Sequence, residues 1–263
     1  MPELPDVEVF RRYLGSTALH KKIKKSHLLD DRLLENAGHQ QVVRRLNGNR
    51  FQSTDRHGKY LFVHLKDGWT LVLHFGMTGF LKYYKDKEDA SEHAKLIIDF
   101  ANGYHLSYGN QRRLGRIDLT ESIGDFVKEQ DLGPDVMSDD FDQERFLELL
   151  KGRRGTIKGV LMNQSVMAGV GNIYSDEALF QAGIYPGRSV EKVDAAEQKK
   201  LFRTLRRVLS IAIDKQVDPS RFPRGYLLPN RKPGADCPRC GGTIKKTTIS
   251  GRSAYYCARH QRK

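Results

Sequence analysis

Apolar positions near the start of the chain recur at helical spacing. Val7, Phe10 and Leu14 follow Pro5, which suits a first helical turn, and precede Gly15, which suits a stop. The spacing predicts a helix over residues 5–14. From Phe51 to about Tyr108 β-branched and aromatic residues take over, cut by turn dipeptides. Residues 59–65 and 71–75 flank Asp67-Gly68, and residues 96–100 and 105–108 flank Asn102-Gly103, which predicts two hairpins of a mainly antiparallel β domain. An acidic stretch with Gly133-Pro134-Asp135 follows, and helical spacing then returns at Phe146, Leu147, Leu149 and Leu150, ending at Gly152. A domain boundary near residues 125–137 fits this change. Asp194 with Glu197 reads as a capping-box variant opening a helix whose apolar face holds Leu201, Leu205, Val208, Leu209 and Ala212. Its other face carries Lys199, Lys200, Arg203, Arg206 and Arg207. There is no internal repeat and no low-complexity tract.

A length of 263 residues suggests two domains. Hydrophobic residues make up 38%, and no window approaches the ~20 unbroken apolar residues of a membrane span. The N-terminus carries Glu3, Asp6 and Glu8 instead of a basic run before an apolar stretch, so no secretory signal is read there. A soluble intracellular protein is expected, cytoplasmic or nucleoid-associated in a bacterium, with no membrane partner. The formal net charge of +13 favours a polyanionic partner, because neutralised phosphates release counterions on association. That charge is polarised. Residues 118–148 hold eleven acidic side chains against Lys128 and Arg145, whereas residues 237–263 hold seven basic side chains and no acid. A one-sided nucleic-acid face has this pattern.

All three cysteines lie in the last 27 residues, an odd number that cannot close into internal disulfides. Cys237-Pro-Arg-Cys240 and Cys257-Ala-Arg-His260 instead form a C-x2-C…C-x2-H set that offers three thiolates and an imidazole to one structural Zn²⁺. Residues 245–249 and 254–257 flank Ser250-Gly251-Arg252-Ser253, which predicts a zinc-ribbon hairpin with Arg252 at its tip.

Pro2 follows Met1, and methionine is usually trimmed before so small a residue, which would leave a free secondary amine. An α-amino group titrates at roughly 8, so part of it is unprotonated at neutral pH and can attack a sugar carbon. The adjacent Glu3 could protonate a leaving group or an opening sugar ring. Four separated motifs extend this reading: Pro2-Glu3-Leu4-Pro5-Asp6-Val7-Glu8, Gly58-Lys59-Tyr60-Leu61, Asn163 through Tyr174, and the terminal cysteine set with Gly251-Arg252. With them the chain resembles the formamidopyrimidine-DNA glycosylase and endonuclease VIII family along nearly its whole length.

The resemblance implies an α+β fold: an N-terminal antiparallel β-sandwich with a leading helix (1–130), a helix-two-turn-helix domain (131–232) and a zinc ribbon (233–263). It implies base-excision repair of damaged double-stranded DNA, held in a cleft between the halves, by a bifunctional DNA glycosylase and AP lyase. A monomer is expected. Pro2 falls at the Schiff-base nucleophile, Glu3 at the proton donor, Lys59 at a residue of β-elimination, and Arg252 at the finger arginine of phosphate binding and δ-elimination. Asn172 resembles the family's phosphate-binding asparagine, where Gly169 and Gly171 would permit close approach to a phosphate at a helix N-terminus. His93 and Arg153 fall where the family contacts DNA. Met77, Arg112 and Leu114 resemble the group that fills the void left by an extruded base.

Three features depart from the pattern. Leu114 stands where the oxidised-purine branch commonly has phenylalanine, and His260 stands for the usual fourth cysteine. Between Asp214 and Arg231 the chain is short, lacking the loop that the oxidised-guanine branch closes over its base. The start of the chain favours the purine branch, and the short segment favours the endonuclease VIII side. A non-catalytic DNA-binding protein with the same two DNA-contacting modules is the alternative, against which the presence of Pro2, Glu3 and Lys59 together argues. An RNA-binding zinc-ribbon protein of the translation apparatus would explain the charge but not the N-terminus.

Overall fold

A computed structural model describes residues 2–262. Trimming of Met1 therefore concerns a residue outside the described ones. The chain divides into two compact units, one of Pro2 with residues 6–130 and one of residues 3–5 with 131–262.

The first unit is a β-sandwich. Its elements are most of α1 (Leu4–Thr17), then β1 (Ile23–Leu28), α2 (His39–Leu46), β2 (Phe51–His57), β3 (Tyr60–Leu65), β4 (Thr70–His74), β5 (Gly79–Tyr84), β6 (Ala94–Phe100), β7 (His105–Asn110), β8 (Arg116–Thr120) and α3 (Ile123–Glu129). Two four-stranded sheets, β2-β3-β4-β8 and β1-β6-β7-β5, are antiparallel throughout. Alternation makes the sandwich: along β6 every second residue, Ala94, Leu96, Ile98 and Phe100, is buried. Those side chains share one core with Leu61, Val63, Leu71, Leu73 and Ile117 of the other sheet and with Val7 and Leu14 of α1. Phe62 and Tyr60 on β3 pack edge-on against Phe126 of α3.

Both predicted hairpins form, β3–β4 across Gly68 and β6–β7 across Gly103, each glycine at positive φ. The first helix runs past Gly15 to Thr17, because no left-handed turn is needed there and tertiary packing outweighs the local cost of glycine. Strands β1, β2, β5 and β8 and helix α2 lie in stretches for which no element was predicted individually.

The second unit holds α4 (Gln143–Leu150), α5 (Ile157–Met162), α6 (Asn172–Ala182), α7 (Ala195–Asp214) and the hairpin β9 (Ile244–Ile249) with β10 (Arg252–Cys257). The predicted capping box closes reciprocally: the Asp194 carboxylate accepts from Glu197 N–H and the Glu197 carboxylate from Asp194 N–H. Leu201, Leu205, Val208 and Leu209 of α7 bury against Phe146 and Leu150 of α4 and Leu179 of α6. Helix α6 is central. Every side chain from Tyr174 to Ala182 is buried, the polar Ser175, Asp176, Glu177 and Gln181 included. Among the described residues no helix is long and apolar enough to cross a membrane.

Candidate active site and zinc centre

Glu3 is fully buried and accepts from the N–H groups of Gly171 (3.0 Å), Ile173 (2.7 Å) and Tyr174 (3.1 Å) at the start of α6. The first turn of a helix leaves its N–H groups without intrahelical acceptors and carries positive potential, so a carboxylate is well matched there. Leu4 N–H also donates to Gly169 C=O at 3.1 Å. This geometry gives the two glycines a use within the chain itself. A Cβ on Gly171 would overlap the Glu3 carboxyl, and one on Gly169, which sits at φ +112°, would overlap the Leu4 side chain. The missing side chains admit the N-terminal segment, and three N–H groups at this helix start are taken by Glu3. Pro2, half-buried, is the residue immediately before this anchor.

In the first unit Lys59 lies half-buried in the two-residue turn between β2 and β3, after Gly58 at φ +56°. Met77 and Leu114 are 38% and 49% exposed, high for large apolar side chains. Their loops touch: Arg112 N–H donates to Thr78 Oγ1 at 3.0 Å, and a Cβ on Gly76 would meet the Leu114 backbone. Asn110 Oδ1 accepts from Leu114 N–H at 3.2 Å and so braces the loop that presents it. Arg112 is exposed, and His93 lies 3.5 Å from Glu92.

In the second unit Arg153 donates from Nε to Leu149 C=O and lines a cavity of about 470 Å³ with Thr156, Asn163 and Ser250. Asn172 opens α6, and its Oδ1 is buried without a hydrogen-bond partner among the described residues. Arg252 is exposed as the first residue of β10, directly after the Ser250-Gly251 turn.

The thiols of Cys237, Cys240 and Cys257 all lie within 4.8 Å of one another, close enough for one metal ion. Gly242 leaves the room: a Cβ there would stand 3.1 Å from Cys257 Sγ and 3.3 Å from Cys240 Sγ. Three converging soft donors on a two-stranded ribbon fit structural Zn²⁺. His260 does not join them. Its Nε2–H donates to the Phe180 carbonyl at 2.8 Å, and its ring packs on the Phe180 ring at 4.7 Å. The imidazole is held through Nε2 by the end of α6, apart from the three thiols.

Comparison with known proteins agrees with this architecture. Residues 1–117 match the formamidopyrimidine-DNA glycosylase N-terminal domain, residues 132–223 its H2TH domain, and residues 236–259 a zinc finger found in FPG and IleRS. The formamidopyrimidine-DNA glycosylase of Stutzerimonas stutzeri is 33% identical over the whole of both chains. The chain belongs to the formamidopyrimidine-DNA glycosylase family. That of Pelotomaculum thermopropionicum is 32% identical over 98% of each chain. Lactococcus lactis Fpg in complex with DNA containing an abasic site superposes with a TM-score of 0.90 at 30% identity over the whole of both chains. The same protein bound to DNA containing N7-benzyl-Fapy-dG gives 0.89 at 29% identity, again over the whole of both chains. The matched zinc finger ends one residue before His260.

This glycosylase also buries polar groups that sequence reasoning missed. Lys158 and Asp176, both fully buried, pair at 2.5 Å, and Arg231 reaches the same carboxylate at 2.8 and 3.0 Å. Burial pushes the lysine's pKa down and the aspartate's up, so the pair depends on its mutual hydrogen bonds. Glu177, pushed up to about 7 by burial, accepts from Leu227 N–H (3.1 Å) and Leu228 N–H (2.7 Å). Gln181 donates to Gly225 C=O at 2.9 Å, so the short segment after α7 is tied down on α6. A buried charge inside a helix that reads Ile-Tyr-Ser-Asp-Glu-Ala-Leu has no period to reveal it; only its partners, 18 and 55 residues away, do.

Proposed function

We propose that this chain is a base-excision-repair DNA glycosylase with AP lyase activity that works through the secondary amine of Pro2. The observation that carries the reading is the anchoring of Glu3, the residue next to Pro2, on the start of α6. In the proposed reaction the Pro2 nitrogen attacks the sugar carbon that bears the damaged base. The bond to the base breaks with its electron pair leaving on the base, which takes a proton from water, and a charged iminium forms as the sugar ring opens. The three N–H bonds favour ionised Glu3, so it takes up the proton shed by the attacking amine and returns it to the opening ring oxygen. Lys59 assists the first elimination and Arg252 the second. Asn172 and Arg153 hold phosphates, with His93 as a further DNA contact. Met77, Leu114 and Arg112 fill the gap left by the extruded base. The protein acts on damaged duplex DNA as a monomer and needs no second copy to complete this set.

Borohydride trapping on an abasic-site duplex tests the reading. The trapped adduct should map by peptide mass to the N-terminal peptide that begins at Pro2. An adduct on the peptide containing Lys59, or a Pro2→Gly protein that traps and cuts as well as wild type, overturns it.

A further inference from the structure

The zinc hairpin makes contacts that the cysteines do not explain. In a two-stranded ribbon each strand has one edge without a ladder partner. On β10 that edge is taken by buried charged groups of the helical part: Lys158 Nζ donates to Ser253 C=O at 3.0 Å, and Asp176 Oδ2 accepts from Tyr255 N–H at 3.2 Å. Arg231 closes the arrangement from the other side, paired with Asp176 and stacked 4.4 Å over the Tyr255 ring. The hairpin turn is fixed as well, with Ser250 Oγ 3.1 Å from Thr156 Oγ1. These points bracket Arg252: Ser250 before it is bonded to Thr156, which caps α5, and Ser253 and Tyr255 after it are bonded to α5 and α6, while its own side chain stays exposed.

We propose that Lys158, Asp176 and Arg231 are positioning residues for Arg252, clamping β10 to α5 and α6 so that the guanidinium is held where the second elimination takes place. Zinc keeps the ribbon folded, and the buried charges set where it sits. A dry ion pair alone contributes little net stability against an apolar substitute, so its use here is to fix one register of the hairpin. The proposal rests on the reading of Arg252 given above.

The test uses full-length zinc-loaded protein on an abasic-site duplex, comparing Arg231→Met, Asp176→Asn and Arg252→Ala with wild type. The δ-to-β product ratio is expected to fall about tenfold in both clamp variants, the scale of one lost hydrogen bond to a charged group. Borohydride trapping should stay within about twofold and zinc at about one per chain. Arg231→Lys, which keeps the charge but not the two-pronged contact, should restore part of the ratio. Amide exchange at Tyr255 should quicken in both clamp variants. An unchanged ratio in both while Arg252→Ala lowers it overturns the clamp, as does loss of zinc from Arg231→Met. If Arg252→Ala leaves the ratio unchanged, the role of Arg252 is what fails. The clamp then stands on faster Tyr255 exchange and falls on unchanged exchange.

Discussion

Gly171 shows what one hydrogen atom in place of a side chain does here. Its Cβ position is filled by the Glu3 carboxyl, so Gly171→Ala must push Glu3 off the helix start or displace the turn. Overpacking of this kind costs about 1–3 kcal/mol. Because the displaced group adjoins the proposed nucleophile Pro2, strand cleavage should fall more than tenfold while the melting temperature drops only a few degrees. Single-turnover cleavage at the wild-type rate would contradict this. His260 supplies the opposite case, a residue whose spacing suggested chemistry and whose side chain is held elsewhere. With its Nε2 on Phe180, His260→Ala should keep about one zinc per chain, whereas Cys240→Ser should lose it. Metal analysis showing that His260→Ala is zinc-free would mean that the imidazole turns into the thiol cluster.

Among the elements, the outer face of sheet β1-β6-β7-β5 carries a link across three strands. Asp99 on β6 accepts from His105 on β7 at 2.6 Å and lies 2.9 Å from His27 Nε2 on β1. Burial acts to raise the Asp99 carboxyl, but the hydrogen bonds from His105 and His27 outweigh it and hold the pKa below the usual carboxylate value. A lowered folded-state pKa means that the stabilisation is present above the unfolded value and is lost as pH falls through the folded one. Asp99→Asn should therefore cost about 1–3 kcal/mol near neutrality. The difference from wild type should shrink as pH falls below the ordinary aspartate value and Asp99, held lower, takes up its proton. Urea titrations at several pH values check this, and a difference that does not vary with pH refutes it. The elements legible beforehand were those whose period or turn is local: the two Gly-turn hairpins, the capped α7 and the cysteine ribbon. Edge strand β1 reads Ile-Lys-Lys-Ser-His-Leu, with only Ile23 and the end of the strand marking its buried side, and α6 hides its polar residues in pairings with distant segments. The cysteine cluster could be found from residue type and spacing. The clamp on the zinc hairpin could not, because its members are far apart in sequence.

On the scale of the whole molecule, the net charge of +13 predicts DNA affinity that falls steeply with salt, and the short segment after α7 bears on what is excised. That segment is tied to α6 at Gly225, Leu227 and Leu228, which leaves only residues 215–224 to reach toward an extruded base. On the proposed roles of Met77 and Leu114, discrimination then depends on those two side chains and on how readily a base leaves the stack. Single-turnover rates should be high on abasic sites, ring-opened purines or oxidised pyrimidines and lower on 8-oxoguanine paired with cytosine, which stays well stacked. Fastest removal of 8-oxoguanine across a matched panel would refute this. The anchoring of Glu3 also bears on synthesis of the chain. Its three N–H partners lie 168 to 171 positions downstream, and ribosomes add about 5–20 residues per second, so they emerge on the order of ten to thirty seconds after it. The amine of a nascent chain is thus made first and positioned late, when the second unit folds around the start of α6. A chain that stops short of residue 171 carries the proposed nucleophile without the helix start that anchors its neighbour Glu3.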